Sequence, residues 1–128
     1  MPDDNTGHVL NAAYKLTDWM NFYWNFTVIF AAAILGWVFS AKNPWGTAQK
    51  VVITIMYAVF VLINLDIMVR TYIAIESAVE WLKVNWEITD GVKPALLHKL
   101  SHPFWKAHIA AHLLADALVF YCLWTKTP

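Results

Sequence analysis

The chain has 128 residues, 59% of them hydrophobic and only 14% charged, where a soluble domain carries about 25% charge. Nine basic and nine acidic residues cancel, so no electrostatic argument for a nucleic-acid partner arises. The single cysteine, Cys122, excludes an internal disulfide and reads as a small packed apolar residue.

The charge deficit is concentrated in three runs, residues 20–41, 51–69 and 104–124. Each holds about 20 residues and would be about 30 Å long as a helix, the thickness of a bilayer core. They are too long and too evenly apolar for barrel strands, so the expectation is an all-α, three-span integral membrane protein. The spans cover about residues 18–41, 48–73 and 104–125, in one domain with no second unit or internal repeat.

Residues 1–13 are polar and read as irregular, with Thr17 or Asp18 capping the first helix. The acidic start makes a cleaved signal peptide a poor reading, because such a leader begins with basic residues. In the first span Asp18, Asn21, Asn25, Val28, Ala32 and Gly36 recur at steps of three and four. They form one stripe, polar at one end and small at the other, suited to facing protein rather than lipid. Lys42, Asn43, Pro44, Trp45 and Gly46 make a turn, since Asn-Pro and Gly both break helices.

The second helix starts near Thr47, and the sequence offers no stop before Asp90 and Gly91. Such a helix would be about twice as long as the bilayer core is thick. Beyond residue 73, Glu76, Glu80, Lys83 and Glu87 fall on one stripe, and Ala74, Ile75, Ala78, Val79 and Leu82 on another. This amphipathic extension, about residues 74–102, would project against a partner or lie on the membrane surface. It includes a short interfacial helix near residues 94–102, after which Pro103 opens the third span. In that span Ala107, Ala111 and Ala115 form a small-residue stripe.

Lys42 and Lys50 flank the first loop with no acid between them, and Lys126 follows the third span. The positive-inside rule then places the N-terminus outside and the C-terminus in the cytoplasm. Trp19, Tyr23, Trp24, Tyr72 and Trp105 would mark one membrane interface, and Trp37, Trp45, Tyr121 and Trp124 the other.

With that topology nearly all intramembrane polar groups fall in one leaflet. Asn21 and Asn25 lie on the first helix, Asn64, Asp66 and Arg70 on the second, and His108, His112 and Asp116 on the third. Charge in hydrocarbon is costly, so such residues mark a candidate site. His108, His112 and Asp116 recur every four residues on one helix face, with Asp66 as the group expected to face them. Two imidazoles with carboxylates suit a transition metal (Cu, Zn or Fe), and the imidazoles alone would suit haem b. The competing reading is that these side chains hydrogen-bond across helices and hold the bundle together. Asp66 and Arg70 are one turn apart and read as an intrahelical ion pair. His98 and His102 form a further pair at this spacing outside the span.

In size and helix count the chain resembles the haem b anchor subunits of succinate dehydrogenases. The Asp/His set is similar in residue type to that of copper-dependent membrane monooxygenases. Neither resemblance carries a motif or a residue assignment. The sequence holds no nucleophile–base set, phosphate loop or complete metalloprotease motif, so catalysis by the chain alone is not expected. Three functional expectations remain. The first is a small membrane subunit of a larger complex or homo-oligomer, partnered by lipid and by other subunits or copies of itself. The second is a homo-oligomeric, pH-sensitive channel or proton pathway, and the third is an enzyme in its own right that would host redox chemistry together with partners.

Overall fold

The computed structural model describes residues 4–43, 45–85, 92–100 and 105–125. Four helices occupy almost all of this: α1 (Asp4–Ser40), α2 (Thr47–Asn85), α3 (Val92–Leu100) and α4 (Trp105–Thr125). Helices α1, α2 and α4 are each long and apolar enough to cross a membrane. No strand occurs among the described residues.

Buried positions on α1 recur every seven residues: Thr6, Ala13, Met20, Thr27 and Ile34. On α2 the buried residues Tyr57, Val61, Asn64, Met68, Thr71 and Ile75 alternate at steps of four and three. On α4, His112, Asp116, Val119 and Leu123 do the same. A repeat averaging 3.5 residues keeps one seam of a helix turned toward its neighbours, the pattern of coiled-coil-like packing. Thr27 meets Asn64, and Tyr57 meets Asp116. These pairings run α2 antiparallel to both α1 and α4.

The six-residue connection, 41–46, lets α1 and α2 pack side by side. Gly46 precedes α2, and its carbonyl accepts from the Lys50 amide at 3.1 Å. Its own amide donates to Oε1 of Gln49 at 3.0 Å. A side chain at the third helical position reaching back to the preceding residue is half of a capping box. Pro44 lies outside the described residues, as do Asp90, Gly91, His102 and Pro103.

Two apolar clusters fill the bundle. Toward the connecting turn, Ile34, Val38, Tyr57, Val61, Val119 and Leu123 pack with Phe30, Phe60 and Phe120. Toward α3, Ala13, Met20, Met68, Ile75, Val79 and Leu82 pack with Leu97 and Leu100. This second cluster corrects the expectation for the N-terminus. The residues read as irregular are helical from Asp4, and Val9, Leu10 and Leu16 join the cluster. They lie against Ile75, Val79 and Leu82, so packing overrides the polar composition of the segment. Thr17 is therefore not a cap; its hydroxyl donates to the Ala13 carbonyl one turn back, at 3.0 Å.

The far part of α2 is continuous with the rest of the helix. Its apolar side is covered by α1 and α3 of the same chain, while Glu76, Glu80 and Lys83 are exposed. Glu80 and Lys83 pair at 2.6 Å. The stripe of Asp18, Asn21, Asn25, Val28, Ala32 and Gly36 is exposed along its whole length. A Cβ added at Gly36 would meet nothing within 4 Å. Ala107, Ala111 and Ala115 are exposed as well. The small-residue stripes are thus not used within the chain. Cys122 is buried, as its apolar surroundings in the sequence suggested.

Candidate functional site: a buried polar chain across three helices

Five polar side chains from three helices meet at the heart of the bundle. On α1, the seven-residue repeat turns Thr27 inward between Met20 and Ile34. Its hydroxyl donates to the Tyr23 carbonyl at 2.9 Å, which leaves the oxygen's lone pairs for an incoming donor. Nδ2 of Asn64, on α2, donates to that oxygen. The same nitrogen lies 3.1 Å from Nε2 of His112 on α4. With Nδ2 as the donor, Nε2 accepts, and the proton of the neutral ring sits on Nδ1.

Nδ1 of His112 lies 2.5 Å from Oδ2 of Asp116, one turn further along α4. The two atoms are close but out of line for a hydrogen bond, so their contact is chiefly electrostatic. The other carboxylate oxygen of Asp116 accepts from the Tyr57 hydroxyl at 2.6 Å, a strong return contact to α2. His112 is 1% exposed and Asp116 3%. The ring of Trp24 covers His112, with centroids 5.9 Å apart. The chain of contacts therefore runs Tyr23, Thr27, Asn64, His112, Asp116, Tyr57, through all three long helices.

His108 stands one turn away and is exposed. Its Nδ1 lies 3.2 Å from the Tyr72 hydroxyl. Tyr72 is buried and stacks on Trp105 with centroids 5.5 Å apart. Trp24 and Tyr72 wall this side of the site. A cavity of about 130 Å³ opens here between Met20, Asn21, Trp24, Tyr72 and His108.

Asp66 is not brought to the cluster. It pairs with Arg70, whose Nε lies 2.9 and 2.8 Å from the two carboxylate oxygens. Both side chains are on the outside of the bundle, 59% and 78% exposed respectively. Helix geometry explains this. Each residue turns about 100°, so Asp66 stands roughly 200° from Asn64, opposite the buried seam. The expected set of His108, His112, Asp116 and Asp66 is therefore not assembled, and only His112 and Asp116 meet. Among the described residues no three His, Cys, Asp or Glu side chains converge as metal ligands would. Both nitrogens of His112 already face partners in the chain.

Asn64 was read as intramembrane polar, and it forms the hinge of the site. Asn21 and Asn25 are exposed on α1, and Asn21 borders the cavity beside the site. Sequence reasoning missed the roles of Thr27 and Tyr57. Their signal was present: Thr27 lies seven residues from two buried apolar positions, and Tyr57 shares the seam of Asn64.

Chemically, the cluster can tie three helices together. Trp24 and the apolar packing of the bundle enclose it, and the cavity bordered by Trp24, Tyr72 and His108 lies beside it. No protein-family model, curated protein or solved structure matches the chain.

Proposed function

We propose that the chain is a three-span integral membrane subunit that works as part of a homo-oligomer or a larger membrane complex. The observation that carries this reading is the Asp66–Arg70 pair on the outer surface of α2. It sits within the second apolar stretch, where a bare charged surface against lipid is unfavourable. Asn21 and Asn25, exposed on α1, add to the polar surface left uncovered by the chain itself. A protein neighbour that covers these groups removes the penalty. Lys42 and Lys50 support an orientation with the connecting turn in the cytoplasm and the N-terminus outside.

In this reading the buried chain from Thr27 to Tyr57 fastens the three helices and so presents the outer surfaces in a fixed arrangement. The channel alternative gains no lining from it, because Asn64, Tyr57, His112 and Asp116 face one another.

The test starts from carbonate-washed membranes and mild detergent extraction, followed by mass determination of the protein–detergent particle. The expected result is a species heavier than one chain, reduced to one chain in the Asp66→Leu/Arg70→Leu double variant. A monodisperse single chain in detergents and in nanodiscs alike would overturn the proposal. Metal analysis and a visible spectrum of the same material test the fastening role. A stoichiometric metal or a haem band that disappears in His112→Ala would replace fastening by cofactor binding.

A further inference from the structure

Two apolar cavities run together on the α1–α2 face, at the end of the bundle that carries the connecting turn. The outer one, about 350 Å³, is lined by Trp37, Trp45, Ala48, Gln49, Val52 and Ile53. The inner one, about 230 Å³, shares Trp37 and Ile53 and continues past Ala33 and Met56 to Phe30. The small side chains of Ala33 and Ala48 leave the space that larger residues would fill. From Ala48 to Met56 the groove follows α2 for about 12 Å. Its walls are hydrocarbon and aromatic rings, apart from the amide of Gln49 and the edge of Tyr57, whose hydroxyl is engaged by Asp116. The long body of an occupant must therefore be apolar, since a polar group there would lose its hydration unpaired.

The mouth has the opposite chemistry. Trp37 and Trp45 stand edge to face there, with centroids 5.1 Å apart. Segment 41–50 carries Lys42 and Lys50 and no acid, and Lys42 is exposed. Tryptophan pairs suit the boundary between hydrocarbon and headgroups, and lysines beside a helix groove attract anionic heads. We infer that this groove binds the acyl chain of an anionic phospholipid, with the headgroup phosphate held over Lys42. The inference rests on the membrane reading above but not on oligomer formation.

Native mass spectrometry of the full chain tests it, with equimolar phosphatidylglycerol and phosphatidylcholine of identical acyl chains. Wild type is expected to retain phosphatidylglycerol roughly fivefold better, the scale set by one lysine near a charged surface. Lys42→Gln should bring the ratio close to one while some lipid is still retained. Val52→Trp and Met56→Trp, made separately at exposed positions that the fold tolerates, should each fill the groove and reduce retention of both lipids. Equal retention of the two lipids by wild type would overturn the inference. So would retention unchanged by both tryptophan variants, which would place the lipid elsewhere. Recovery of the chain in the soluble fraction without detergent would instead overturn the membrane reading itself.

Discussion

Thr27, Asn64, Tyr57, His112 and Asp116 meet in the middle of the bundle, each 5% exposed or less. Asp66 and Arg70, two and six residues along α2 from Asn64, stand on its outside, 59% and 78% exposed. Both sets lie in stretches where water is expected to be absent, yet they are neutralised differently. The inner set is linked across three helices, with Nδ1 of His112 and Oδ2 of Asp116 in electrostatic contact only. The outer pair satisfies itself within one helix and leaves its remaining hydrogen-bonding capacity turned outward. On the proposed reading the contrast separates two tasks: the first set decides how the chain folds, and the second what the folded chain meets.

Removing members of each set should break or sharpen this division. Asp116→Ala should have the largest effect on the fold, because it strands the Tyr57 hydroxyl and the His112 ring together. A loss of about 3 kcal/mol is expected, read as a lowered thermal midpoint in detergent. Asn64→Val removes the link between α1 and α4 and should cost about 1–2 kcal/mol. Tyr57→Phe deletes a single hydrogen bond to Asp116 and should cost about 1 kcal/mol. The Asp66→Leu/Arg70→Leu double variant should leave the midpoint of the isolated chain within about 0.5 kcal/mol of wild type, as for an exposed pair one turn apart. Its effect should appear in assembly instead. If the double variant melted as early as Asp116→Ala, the outer pair would belong to the fold and the division would fail. If Asp116→Ala kept its midpoint but lost assembly, the roles would be reversed.

The three long helices, the turn at Gly46 and the gathering of polar groups at one depth could all be read in the sequence. Length and hydropathy decide them, and these survive without knowledge of neighbours. The placement of Asp66 could not be read by depth alone. Its rotation about the helix could have been, because Tyr57, Val61, Asn64 and Met68 already set the buried phase and Asp66 falls opposite it. Arg70, one turn along, offered it a local partner that the distant histidines could not outcompete. The start of α1 was hidden for another reason. Asp4, Asn5, Thr6 and Gly7 favour turns by composition, and only the contact of the following apolar residues with Val79 and Leu82 outweighs that preference. Thr27 was overlooked because the seven-residue repeat that turns it inward takes on meaning only once Met20 and Ile34 are known to be buried.

The meeting of Asn64 with Thr27 also bears on how the helices find their alignment. Apolar seams of similar residues can slide past one another at little cost, since valine against isoleucine differs little from valine against methionine. A slip of one seven-residue repeat, about 10 Å, would carry Asn64 from Thr27 to Met20 or Ile34. There its amide would face the weakly accepting sulfur of Met20 or the hydrocarbon of Ile34 in place of the Thr27 hydroxyl. Asn64 therefore acts as an index mark: it contributes modestly to holding the right alignment but strongly penalises every neighbouring one, as single buried asparagines do in coiled coils. His112 and Asp116 carry the same mark to the last helix, which can dock on α2 only where both find their partners.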